Sequence, residues 1–420
     1  MSEIHALFII GFIAVLAPLL ARSSEFIRAP AVVLELVFGI LIGPSGAGWV
    51  TSQGAIGVLG ELGLIFLFFQ AGFEFNPDKI GAVPLRLGAL AWLGSLGLTS
   101  VFVGMLYMVG LVRAPLLVGI VLPTTAFGML IPILRETGCD SNFGRYVLGA
   151  AAIGELGPLL LAPLGLAQAH QHLHQTLLSM VFLALAIGAI SFARSLRSER
   201  LSRMNARWMG YSSVLPVRVS ILILLAAVSL ANELGMEMVL GAYTAGIMIA
   251  MFTKVEILQY RLTSIGSGFF IPLFFITSGI EFDLHALVTS PASLARLILF
   301  CAGFLFIRVF PVLLYKRVLP ERDLLPLALF SATTLPLVVA VTYLGVRTGD
   351  MLPENASALV GAAVIGVAVF PTLAIVLRAK SEGAKPDGVV AIAVHRVADL
   401  AAALFSRLIV FISQQTWGKR

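Results

Sequence analysis

The chain has 420 residues, 59% of them hydrophobic and only 12% charged, with a mean hydropathy of +1.00 and a formal net charge of +6. A water-soluble domain cannot enclose that much apolar surface, so the fold class is an all-α polytopic membrane protein. The basic residues gather at the ends of apolar segments, which assigns them to the lipid boundary and excludes a nucleic-acid partner.

Thirteen apolar segments of roughly 16–25 residues are each suited to hydrocarbon about 30 Å thick. They fall near 4–21, 30–49, 56–74, 84–110, 114–134, 146–168, 175–194, 215–232, 237–253, 264–281, 292–316, 324–345 and 355–378. The first follows Ser2-Glu3 with no basic stretch before it, so it reads as a retained span rather than a signal peptide. Loops after odd-numbered spans carry the basic clusters, among them Arg22, Arg28, Lys79, Arg86, Arg135, Arg145, Lys316 and Arg317; the other loops carry Arg113, Arg296 and Arg347. That alternation places the N-terminus outside and the C-terminus in the cytoplasm of a cell membrane, expected to be a bacterial inner membrane. A missed or invented span would break it.

The link after span 7 repeats Arg194, Arg197, Arg200, Arg203 and Arg207 near helical spacing, the pattern of a headgroup-facing helix side. Beyond Arg378, a polar stretch leads to 389–413, where Arg396, Asp399 and Arg407 share one face and indicate an interfacial amphipathic helix. The chain therefore divides into a transmembrane domain, 1–378, and a short cytoplasmic tail, 379–420, too small for a nucleotide-binding domain. Cys139 and Cys301 form no disulfide framework. His170, His172 and His174 alternate as strand ligands would, but they fall in a loop between helices, so metal binding is the less favoured reading.

Two adjacent spans hold the chemistry. Span 5 carries Pro123-Thr124-Thr125 in mid-membrane, a pattern that points to an interrupted backbone, which lipid tolerates only beside a protein-lined cavity. Span 6 carries a single carboxylate, Glu155, flanked by Gly154, Gly157 and Pro158. A lone intramembrane carboxylate marks a functional site by default. Span 12 repeats the Thr-Thr-Pro theme in SATTLP, with Thr333 and Thr334. Six spans lie between the two, so they are traversed in opposite senses, as inverted repeats require.

Glu155 lies about 13 Å into span 6, and Arg308 about 18 Å past Arg296 in span 11. Each is the only charge in its span's interior, so the two are expected to pair. In the functional reading Glu155 takes a proton or a monovalent cation, one at a time. Thr124, Thr125, Thr333 and Thr334 offer hydroxyl and freed carbonyl oxygens to a dehydrated ion, with Arg308 as charge partner. In the structural reading Glu155–Arg308 is a permanent lock between helices. Glu35, Gln70 and Glu74 lie at or near helix ends and read as caps or snorkelling groups. Glu281 and Asp283 read as a solvated outer loop. No P-loop, GxSxG, HExxH or CxxC pattern is present, so no enzyme, cofactor or structural metal is expected.

The stretches RAPAVVLELVFGILIGPSGAGWV and LGELGLIFLFFQAGFEF, with VLGAYTAGIMIA and GFFIPLFFITSGIEFDL further on, resemble the monovalent cation:proton antiporter-2 family over about residues 25–378. The resemblance implies a thirteen-helix inverted-repeat protein, a homodimer, with two broken helices (spans 5 and 12) crossing in a mobile core around 114–168 and 292–345. It also implies elevator-type transport. PTTA at 123–126 matches the family's Ser/Thr-Thr-Ala. Glu155 takes the place of the ion-binding carboxylate, with Gly154 where the family carries an amide or acid, and Arg308 falls where it has a basic residue. Ser331-Ala332-Thr333-Thr334 replaces a stretch that often contains Gly-Glu.

The expectation is exchange of Na⁺ or K⁺ for H⁺ with one proton per cation, electroneutral because only one carboxylate is present. The partners are a monovalent cation, a proton and membrane lipid. The alternatives are a transport-inactive member with a structural or sensory role, and a transporter of another small solute using room left at Gly154.

Overall fold

The computed structural model describes residues 3–23, 31–75, 80–136, 142–166, 188, 214–233, 238–252, 256–288 and 291–381. Every regular element among them is helical. In chain order these are α1 Glu3–Ser23, α2 Ala31–Ile42, α3 Ala55–Glu74, α4 Ala82–Met108, α5 Pro115–Val121, α6 Phe127–Glu136, α7 Asn142–Leu166, α8 Leu215–Glu233, α9 Met238–Phe252 and α10 Glu256–Ile265. A π-helical turn, Gly266–Phe270, then leads into α11 Ile271–Glu281. The rest are α12 Leu284–Val288, α13 Pro291–Val309, a 3₁₀ stretch Pro311–Arg317, α14 Glu321–Ser331, α15 Pro336–Arg347 and α16 Pro353–Ser381.

Eight helical stretches among the described residues are long and apolar enough to cross a membrane, against the thirteen expected. Spans 2, 5, 6, 7 and 9 are the five not among the eight, and four of them are accounted for locally. The helix of span 2 stops at Ile42, where Gly43-Pro44 cannot continue it, and span 9 is a short apolar helix. Span 5 divides into α5 and α6. Span 7 apart from residue 188, the Arg-rich link, the His170–His174 loop, Cys139 and the proposed tail helix lie outside the described residues.

Packing sorts the helices into two groups. In one, α2 packs on α11 and α3 on both α9 and α11, with α1 and α8 flanking. In the other, α4 packs on α7 and α13 on α16, enclosing α5, α6, α14 and α15. Few residues connect the groups: α3 reaches α6, α9 reaches α7, and α2 reaches α16. Apolar side chains gain little by leaving lipid for a helix interface, so close backbone approach at small residues holds each group together. Gly39 of α2 and Gly279 of α11 meet so closely that a Cβ on either would lie 2.9 Å from the other's Cα. Ser45 secures the same pair beyond the helix ends, donating to the Phe282 carbonyl at 2.7 Å and accepting from the Leu284 amide at 3.1 Å.

Candidate functional site

Both Thr-Thr segments interrupt their helices. Residues 124–126 between α5 and α6, and 333–335 between α14 and α15, have no regular secondary structure. Pro336 follows the second break at the first position of α15, where its missing amide costs nothing. The two non-helical segments cross and bond to each other. Ala126 N–H donates to Thr333 O at 2.9 Å, the Thr124 and Thr334 hydroxyls meet at 2.6 Å, and Thr125 Oγ1 donates to Ser331 O at 2.6 Å. Thr333 Oγ1 turns back to Leu329 O at 3.1 Å. All four threonines are buried. The sequence-predicted threonines are thus brought to one place, and their first task is to satisfy a backbone that helical bonding has abandoned.

Glu155 and Arg308, 4% and 5% exposed, flank the first crossing segment. The expected ion pair between them does not form. Glu155 Oε2 accepts from Phe127 N–H at 3.0 Å, the first amide of α6. Arg308 donates to the carbonyls of Pro123 and Thr124, the latter at 2.9 Å, to Thr125 Oγ1 at 2.9 Å and to Ser95 Oγ at 3.4 Å. The physical reason is the helix break. Opening a helix leaves carbonyls and partial negative charge where α5 ends, and amides and partial positive charge where α6 begins. The guanidinium serves the carbonyl side and the carboxylate the amide side, so each charge is compensated by backbone rather than by the other. Trp92 Nε1 adds a bond to Pro123 O at 3.1 Å.

Gly154 explains its own lack of a side chain. Thr125 N–H donates to Gly154 O at 3.0 Å, and a Cβ on Gly154 would lie 2.5 Å from Thr125 Oγ1. The room expected at Gly154 for a larger solute is filled by Thr125.

The structure adds one carboxylate that sequence reading set aside. Glu74, at the end of α3, accepts from Gln70 Nε2 at 3.3 Å, and Ser267 Oγ donates to Gln70 Oε1 at 3.2 Å. Its Oε2 lies 4.0 Å from where a Gly128 Cβ would project, and the group is within electrostatic reach of Glu155. Nothing in its sequence position separates it from an ordinary helix-end acid; only the approach of α3 to α6 brings it to the site. Glu281 and Asp283 instead line a separate cavity of about 520 Å³ with Glu61, Tyr343 and Arg347, at the far ends of α11 and α15. Glu35 is buried within α2, not capping it, and its Oε2 has no hydrogen-bond partner among the described residues.

An all-helical membrane protein with two interrupted helices crossing beside a buried carboxylate belongs structurally among the secondary transporters. Residues 11–379 match the transmembrane sodium/hydrogen exchanger family, and the chain belongs to it. A Bacillus subtilis protein named as a candidate Na(+)/H(+) antiporter, YjbQ, is 24% identical over 387 residues, 88% of this chain. This chain spans 62% of that relative's length. Two solved structures of the sodium proton antiporter MjNhaP1 from Methanocaldococcus jannaschii share the fold at 17% identity, covering 91% of this chain and 98% and 97% of theirs, with TM-scores of 0.59 and 0.63.

Proposed function

We propose that the protein exchanges a monovalent cation, Na⁺ or K⁺, for H⁺ across the cytoplasmic membrane. The observation that carries this reading is Glu155, a carboxylate enclosed at a helix crossing and held by an amide rather than by the nearby Arg308. An ion pair would lock it; amide contacts at the start of α6 leave carboxylate lone pairs to take a proton or a cation in turn. Thr124, Thr333 and Thr334 supply the neutral oxygens beside it. Thr125, which already receives Arg308 and donates to Ser331, shapes the site more than it ligates.

The sparse contact between the two helix groups supports elevator-type movement of the group holding the crossing. The chain-order motifs support the antiporter-2 branch with thirteen spans and a homodimer, and the alternation of basic loops supports an N-terminus outside in a bacterial inner membrane. A single site shared by both ions gives electroneutral one-for-one exchange; Glu74, near Glu155, is the group whose titration would add a second proton.

The test is collapse of a preset pH gradient in sealed proteoliposomes on adding Na⁺, K⁺ or Li⁺. Collapse by one cation, lost in Glu155→Gln with the protein still folded, is expected. Silence of the wild type with all three cations would sink the reading. Because proton and cation compete for Glu155, acidification raises the apparent KM for the cation, approaching about tenfold per pH unit where the carboxyl is protonated.

A further inference from the structure

Tyr243 belongs to α9, in the helix group opposite Glu155. It is 1% exposed, and its hydroxyl has no hydrogen-bond partner among the described residues. An enclosed tyrosine hydroxyl normally finds one, and an exception in a folded protein calls for an explanation, such as a bound ion. Relaxation does not offer a way out, because the main chain at Tyr243 is clamped on α3. A Cβ on Gly72 would collide with the Tyr243 carbonyl, and Gly246, one turn on, meets the Phe69–Phe73 backbone in the same way. The helix that carries it, α9, contacts α7, the helix that carries Glu155, and the hydroxyl is within electrostatic reach of Glu155 without a hydrogen bond to it. Two oxygens separated by more than a hydrogen bond, both enclosed and both with free lone pairs, suit a shared cation.

Resting on the reading of Glu155 as the ion-binding carboxylate, we propose that Tyr243 is the cation ligand contributed by the opposite helix group, its phenolic oxygen coordinating the monovalent ion that Glu155 holds. The site is then complete only when the two groups are in this register, since one ligand stands on each side of the interface. Sliding the groups past each other removes the phenol oxygen from the ion while Glu155 keeps it. A neutral ligand on the fixed wall thereby makes cation affinity depend on conformation.

Tyr243→Phe removes one oxygen and keeps the ring. In proteoliposomes the variant should raise the apparent KM for the transported cation about five- to tenfold, more than it lowers the maximal rate, and should alter the relative preference among Li⁺, Na⁺ and K⁺. Thr244→Val serves as control, because that hydroxyl is already bonded to Leu240 O at 2.8 Å, and it should retain wild-type KM. Wild-type KM and cation ranking in Tyr243→Phe, with Glu155→Gln silent, would overturn the proposal and leave the exchange reading standing. A fall in maximal rate or melting temperature alone would assign the hydroxyl a structural role and overturn it equally. If wild type moves no cation, the exchange reading fails and the ligand role with it.

Discussion

At the scale of single residues, the site shows how a membrane protein carries charge without pairing it. Arg308 is committed to carbonyls that a helix break has exposed, so its loss is a structural event first. Arg308→Gln should lower stability by about 2–5 kcal/mol, since buried carbonyls lose their donors. Arg308→Lys should recover only part, because an ammonium lacks the planar fork that reaches several acceptors. Thermal unfolding of detergent-purified protein checks both. Gly154→Ala tests the close approach of α7 to the first crossing segment. Its Cβ would press on Thr125 Oγ1, and exchange should fall at least about tenfold because small displacements of a binding constellation are costly. The initial rate of gradient collapse measures this.

At the scale of elements, the two interrupted helices stabilise each other through polar contacts rather than apolar packing. The Thr124–Thr334 contact joins residues 210 positions apart in the chain. Thr124→Val and Thr334→Val should each cost about 1–2 kcal/mol, while the double variant should cost less than their sum by about 0.5–1.5 kcal/mol, because removing both hydroxyls leaves neither one unsatisfied. A double-mutant cycle by thermal unfolding reads the coupling, and simple additivity would show that the two breaks are independent.

At the scale of the whole molecule, two helix groups meet through few contacts, and an ion pair bridges them at the mouth of the 520 Å³ cavity: Arg347 with Glu61, supported by the Tyr343 hydroxyl. The pair is substantially exposed, with side chains 57% and 35% accessible. Water therefore screens it, and Glu61→Gln should change unfolding stability by less than about 1 kcal/mol. Comparing melting in low and high salt checks that assignment, since a larger loss that salt abolishes would show the bridge to be a real restraint between the groups. Within the second group, the more enclosed Arg378–Asp323 pair at 3.5 Å, with Arg378 stacked over Phe143, joins α16, α14 and α7.

The sequence alone determined the all-helical membrane class and the two breaks, though not the number of spans, because burial in lipid imposes strict local rules: about 20 apolar residues per crossing, and polar interruption only where protein surrounds it. It also singled out Glu155, Arg308 and the four threonines, each anomalous against its own apolar neighbours. Only the tertiary structure decided what these groups touch. Equal depth suggested that Glu155 and Arg308 pair, yet the crossing segment lies between their tasks, and the opened backbone offers each a nearer partner. Glu74 and Tyr243 come within electrostatic reach of Glu155 from α3 and α9, where neither stands out from ordinary helix-end acids and core aromatics. Spacing along a chain reports which face of a helix a residue occupies, whereas the distance across a helix interface depends on which glycines let two backbones approach.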